Sequence, residues 1–86
     1  MQLVSVIMPY YRKKKYVKDA IYSVINQSYK DVELIIVYDD EETQDFEFLK
    51  SITLKYNNVR IIRNSQNVGA GQSRNNGIKN AKGNLI

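Results

Sequence analysis

Val32-Glu33-Leu34-Ile35-Ile36-Val37-Tyr38, running into Asp39-Asp40, is the stretch on which the fold turns. Its apolar core, Leu34 to Val37, is unbroken rather than alternating. That pattern marks a strand covered on both faces, as strands of a parallel sheet are. A buried strand that stops on two acids also points to the place where chemistry collects. In open parallel sheets, ligands bind outside the carboxyl ends of the strands, where the strand order reverses.

Working outward, Val17, Ala20, Ile21, Val24 and Ile25 recur at helical spacing and predict an amphipathic helix before the strand. Leu3 to Met8 is a first β-rich run, expected to stop at Pro9. On the other side, Phe46, Leu49, Ile52 and Tyr56 predict a helix over about 45–56, with Thr43 or Asp45 as its N-cap. Asn57-Asn58 reads as a turn and Val59 to Arg63 as a third strand. A third helix is expected over about 72–81, with Ala70, Ser73, Gly77 and Ala81 on its inner face and Gly83 as its C-cap. Asn84-Leu85-Ile86 reads as the start of a fourth strand that is cut off. The order β-α-β-α-β-α-β predicts an α/β, Rossmann-like parallel sheet with helices on both faces and right-handed crossovers.

The chain has 86 residues, which leaves room for one small core and no second domain, since a chain of this size buries only about 60–65% of its unfolded surface. It contains no Cys and no His. That excludes a disulfide framework, thiolate or imidazole zinc sites and a histidine base from this stretch. No apolar run approaches the roughly 20 residues of a membrane span, and no signal-peptide pattern opens the chain. A cytoplasmic location is expected.

The net charge of +4 hides an uneven distribution. Residues 1–47 carry six bases and all nine acids, and residues 48–86 carry seven bases and no acid. A basic half is compatible with a polyanion such as nucleic acid or anionic lipid. The bases are scattered, however, without the interleaved aromatics of a nucleic-acid surface, and solvated helix faces explain them as well.

Three loops follow the strands. In Pro9-Tyr10-Tyr11-Arg12-Lys13-Lys14-Lys15, four successive cations oppose the positive end of a helix dipole, a placement that an anion such as phosphate would relieve. Tyr10 and Tyr11 offer faces on which a base could stack; a solvated turn with packed tyrosines is the plainer reading. Asp39-Asp40 suits hydrogen bonds to a base or ribose, or a hard cation, and equally suits a solubilising turn. Asn67-Val68-Gly69-Ala70-Gly71 leads to Arg74. It is not a dinucleotide fingerprint, because Arg74 stands where the third glycine belongs, and it is not a P-loop. Arg74 fits a forked contact to phosphate or base oxygens, or a surface salt bridge.

Taken together, these segments resemble the N-terminal part of family 2 glycosyltransferases of the GT-A fold. The resemblance runs from Val4 to Ile86. It rests on Val4-Ser5-Val6-Ile7-Met8-Pro9-Tyr10-Tyr11, on Ala20 to Tyr29 with its Asn26-Gln27-Ser28-Tyr29 ending, on Glu33 to Asp40, and on Asn67-Val68-Gly69 with Ser73-Arg74-Asn75-Asn76-Gly77 and Ala81-Lys82-Gly83. It implies an inverting enzyme that uses a nucleotide-diphosphate sugar, UDP-linked, with an acceptor glycan or lipid-linked saccharide in surface polysaccharide synthesis. Pro9, Tyr10 and Tyr11 would line the nucleoside pocket, Asp39 and Asp40 would hydrogen-bond the base, Arg74 would approach base or diphosphate, and Asn67 and Gly69 would shape the loop between.

Arg12 stands where the family has Asn, and Tyr38 can occupy the place of the first family Asp. Mg²⁺ or Mn²⁺ is expected for the intact enzyme, held by an acidic motif after the fourth strand and not by residues of this chain, which supply no catalytic group. Residues 1–86 are thus expected to be a single partial domain, inactive alone and prone to self-association through an exposed sheet edge, with the parent enzyme at the inner face of the membrane. The alternative is a non-catalytic α/β module that recognises a polyanion.

Overall fold

In the computed structural model, residues 3–12, 14–26, 31–40, 43–64 and 68–85 are described. Asn67, the Gln27–Tyr29 end of the first helix motif and Glu41-Glu42 lie outside them. The chain order is β1 (Val4–Tyr10), α1 (Lys14–Ile25), β2 (Val32–Tyr38), α2 (Thr43–Thr53), β3 (Val59–Arg63), α3 (Ala70–Asn80) and β4 (Asn84–Leu85). The four strands form one parallel sheet in the order β3-β2-β1-β4.

Strand order runs outward from β1 to β3 and then reverses, so the switch point lies between β1 and β4. With crossovers of one hand, that reversal moves the connecting helix to the other face. The packing shows it. Val6, Met8 and Tyr10 of β1 and Leu34, Ile36 and Tyr38 of β2 cluster with Val17 and Ile21 of α1 and Leu49 of α2. The alternate residues face α3, where Gly77 lies against Ile7 and Val37. Every residue of β2 is buried, which is why its sequence is apolar without alternation.

β1 does not stop at Pro9. It continues to Tyr10, with Pro9 in register with Val37. Val4 N–H donates to Asp31 O and Tyr10 O accepts from Asp39 N–H, so even-numbered residues of β1 hydrogen-bond towards β2. Pro9 is odd-numbered. Its missing N–H therefore falls on the β4 side, where the described pairing covers only Val4 and Ser5, and the proline costs no ladder bond.

Two boundaries differ from expectation. α2 begins at Thr43, two residues early, and ends at Thr53, whose hydroxyl donates back to Leu49 O. α3 spans Ala70–Asn80 and is closed by Ala81 in an extended conformation, its N–H on Ile78 O. Gly83 is not the cap; it lies against the Leu3 carbonyl, where a side chain has no room. Of the expected inner face, Ser73 and Gly77 are buried and Ala81 half-buried, while the side chain of Ala70 falls outside the description.

At the amino ends of the strands, a buried carboxylate ties four segments together. Glu33 Oε2 accepts from the Ser5 hydroxyl at 2.6 Å and from Lys82 N–H at 2.7 Å, and Oε1 faces Arg60 at 3.4 Å. Ser5 Oγ in turn accepts from Gly83 N–H at 2.9 Å. This knot fixes the entry of β4 beside β1. Burial alone would raise the Glu33 pKa, but the Ser5, Lys82 and Arg60 interactions outweigh it and hold the carboxyl below its ordinary 4.5.

A carboxylate depressed in the fold and ordinary when unfolded stabilises above its unfolded pKa and loses that contribution as pH falls. Melting temperature should therefore hold from pH 7 to about 5 and drop through the carboxylate range. Glu33→Gln should melt below the parent chain at pH 7, and the gap should close towards pH 3. A gap of constant size over that range would show that the charge is not what stabilises.

Candidate functional site

The three loops that follow β1, β2 and β3 meet at the carboxyl edge of the sheet. Backbone bonds carry the ladders past the strands: Asp39 N–H to Tyr10 O at 2.8 Å, and Asn64 N–H to Tyr38 O at 2.9 Å. Residues immediately after the strands are thus held as firmly as the strands themselves.

The two tyrosines of the first loop part company. Tyr10 is 1% exposed and stacks on Tyr38 with ring centroids 5.1 Å apart, while its hydroxyl donates to Asp45 Oδ2 at 2.9 Å. It has no face for a base, and its expected place in the nucleoside pocket is corrected to a core role. The cause is strand alternation: once β1 reaches Tyr10, that residue falls in phase with Val6 and Met8. Tyr11 is 44% exposed, with the Arg12 guanidinium 5.0 Å from its ring centre. Arg12 Nε also lies 3.7 Å from Asp40 Oδ2. Its φ of +53° is left-handed, a region that Asn enters more readily than Arg, and this position is the one where the resemblance has Asn.

Asp39 and Asp40 are both buried, at 3% and 5% exposure, and they face different partners. Asp40 pairs with Arg12. Asp39 closes onto the third loop: Oδ1 accepts from Asn64 Nδ2 at 2.9 Å and Val68 N–H at 2.8 Å, and Oδ2 accepts from Gly69 N–H at 2.8 Å. The Ser73 hydroxyl also favours the charged form of this carboxylate. Burial pushes the Asp39 pKa up, but these donors together bring it below the ordinary 3.8. Gly69 sits at the N-cap of α3 with φ +90° and ψ 163°, a conformation that only glycine adopts without strain.

Asn64, Ser73 and Asn76 join the site although the sequence named none of them as a site residue; Ser73 was expected only on the inner face of α3. Asn64 Nδ2 also donates to Ser73 Oγ at 3.0 Å, and Asn64 Oδ1 accepts from Asn76 Nδ2 at 2.9 Å. The available signal was position: Asn64 is the first residue after β3, equivalent to Asp39 after β2. Arg74 lies beside Ser73 in the second turn of α3, is exposed, and forms no ion pair with a described acid.

The bases of the second half are dispersed. Arg60 is engaged with Glu33, Lys50 with Glu47, and Arg63 lies 4.6 Å from the Phe46 ring centre and 5.7 Å from that of Tyr38. They do not gather into a stripe for a polyanion.

The sequence matches the profile described as "Glycosyl transferase family 2" over residues 5–86. The chain belongs to that family. An "Uncharacterized glycosyltransferase" of Haemophilus influenzae is 35% identical over 86 residues, covering 100% of this chain and 34% of its own length. The "Minor teichoic acid biosynthesis protein GgaB" of Bacillus subtilis is 38% identical over 84 residues, covering 95% of this chain and 9% of its own. The chain therefore spans about a third or less of these curated relatives.

Among solved structures, a mannosyltransferase, PcManGT of Pyrobaculum calidifontis, in complex with GDP-Man and Mn²⁺, superposes with a TM-score of 0.85 at 15% identity, over 95% of this chain and 25% of that one. TarS of S. aureus gives a TM-score of 0.83 at 24% identity, over 98% and 26%. These likenesses carry the fold, the parallel α/β sheet with its flanking helices. No helix among the described residues is long and apolar enough to cross a membrane.

Proposed function

We propose that this chain is the nucleotide-sugar-binding portion of an inverting glycosyltransferase, with a UDP-linked donor and a role in surface polysaccharide synthesis. The observation that carries this reading is the convergence of three strand-end loops beside the β1/β4 switch point in a family 2 chain. There Tyr11 presents an exposed ring, Arg12 and Asp40 form a charged pair, and α3 brings Arg74. The nucleoside lies against Pro9 and Tyr11, and Arg74 approaches the base or the diphosphate. Support for a sugar-nucleotide donor comes from PcManGT, solved in complex with GDP-Man, and support for a surface-polymer role from the teichoic acid protein GgaB.

The acceptor on this reading is a glycan or lipid-linked saccharide, and the parent works in the cytoplasm at the inner face of the membrane. In the intact enzyme a bound Mg²⁺ or Mn²⁺ would supply neutralisation of the leaving diphosphate. The two acids directly after β2 do not fit that ion: Asp39 accepts three hydrogen bonds and Asp40 is set against a guanidinium. The 86-residue chain is expected to be inactive by itself and to self-associate through the part of the β1 edge that β4 leaves uncovered.

Titrating UDP into the chain tests the binding claim. Saturable binding is expected, weakened about tenfold in Arg74→Ala, since a charge-assisted bond to phosphate contributes roughly 1.5–3 kcal/mol. Tyr11→Ala should weaken it as well through lost stacking. Equal weak binding by all three proteins would overturn the assignment.

A further inference from the structure

Asp39 is the residue that the resemblance gives to the base, yet its carboxylate is already occupied. An ionised carboxylate offers about four acceptor sites. Three of them are taken, by the Asn64 side chain and by the Val68 and Gly69 amides, and the Ser73 hydroxyl further favours the charged form. All three donors lie between the end of β3 and the start of α3. The Asp39 side chain is also nearly closed to solvent at 3% exposure, so an approaching base would have to displace one of these donors and leave it unpaired in a buried place.

We propose that Asp39 is a positioning residue, not a ligand of the base: it is the internal anion that docks the third loop and the start of α3 onto the end of β2. This deepens the nucleotide-binding reading and rests on it. The carboxylate supplies the negative charge that the amino end of α3 favours. Asn64 completes the device, since its amide donates to both Asp39 and Ser73 and accepts from Asn76 two turns along the helix region. Together they set the height of α3 above the sheet edge, and with it the place from which Arg74 reaches the nucleotide. Diphosphate is kept away from the amides of Val68 and Gly69, which already hold a carboxylate. The base-reading contacts then come from the first loop.

The roles separate experimentally in the 86-residue chain, using UDP and GDP as paired probes and amide resonances as a structural readout. Asp39→Asn should shift the Val68 and Gly69 amide protons, which lose a charged acceptor, and should weaken UDP and GDP by the same factor, about fivefold or more. Asn64→Ala, which touches no nucleotide in this arrangement, should move the same two amides and again weaken both nucleotides equally. It also keeps the test open should Asp39→Asn not fold. Loss of UDP binding with GDP binding and both amides unchanged would overturn the proposal, because it would make Asp39 a base ligand. If the parent chain binds neither nucleotide while the amides still move in both variants, the nucleotide reading fails and the anchoring role of Asp39 stands.

Discussion

Replacing Tyr38 by alanine is expected to cost about 3–5 kcal/mol, the range for truncating a buried aromatic. Tyr38 is fully buried at the end of β2. Its ring stacks on Tyr10 at 5.1 Å and meets Phe46 edge-on at 5.2 Å, with Arg63 5.7 Å from its centre. Loss of the ring opens a cavity where β1, β2, β3 and α2 meet, directly beneath the strand-end loops. A small domain has about 5–15 kcal/mol in hand, so Tyr38→Ala should lower the denaturation midpoint severely or unfold the chain, whereas Tyr38→Phe should be mild. Chemical denaturation of the two variants measures this. An alanine variant as stable as the parent would mean that the aromatic cluster does not hold the sheet edge. The same packing explains why a tyrosine can stand where the family resemblance allows an acid: the residue at 38 points into the α1/α2 core, and Asp39, one residue on, points to the α3 side.

Gly77→Val should come next in effect, through overpacking. A Cβ built on Gly77 would lie 2.5 Å from Ile7 Cγ2 and 3.1 Å from Val37 Cγ2. α3 can then stay on the sheet only if those side chains or the helix itself move, at a cost of about 1–3 kcal/mol. For Gly77→Ala, up to about 1 kcal/mol of recovered helix propensity offsets part of this; valine adds two more methyl groups and recovers less. Displacing α3 also displaces Arg74 and the Gly69 turn, so nucleotide affinity should fall with stability. Equal melting temperatures for Gly77→Val and the parent would contradict the close seating of α3.

The fold was legible because its decisive signal is local. An unbroken apolar run ending in two acids, between two amphipathic stripes, leaves few arrangements other than a parallel sheet. The errors arose where a tertiary partner overrides a local rule. Pro9 looked like a stop, and is tolerated in the strand because its missing donor points away from β2. That extension changed the fate of Tyr10, since strand phase sent it into the core and left Tyr11 outside. Gly83 had the look of a helix cap, but the requirement it meets is contact with Leu3, eighty residues away in sequence.

The site was legible as a set of strand-end loops, and much less so as a set of roles. Asp39 and Asp40 are identical side chains on adjacent residues, and nothing local separates them. Their difference comes from pleat and neighbours: one meets the Asn64, Val68 and Gly69 donors, and the other meets Arg12. Asn64 and Asn76 are twelve residues apart on different elements, so their pairing exists only once α3 has crossed back over the sheet.

The most direct test of the nucleotide-binding reading is a map of amide shifts on titrating UDP into the chain. The expected result is a saturable change confined to the carboxyl edge, at Tyr11, Arg12, Asp40 and Arg74. The Ser5–Glu33–Lys82 knot at the opposite end of the strands should stay still. No saturable shift, or shifts centred on that knot or on the outer faces of α1 and α2, would contradict it.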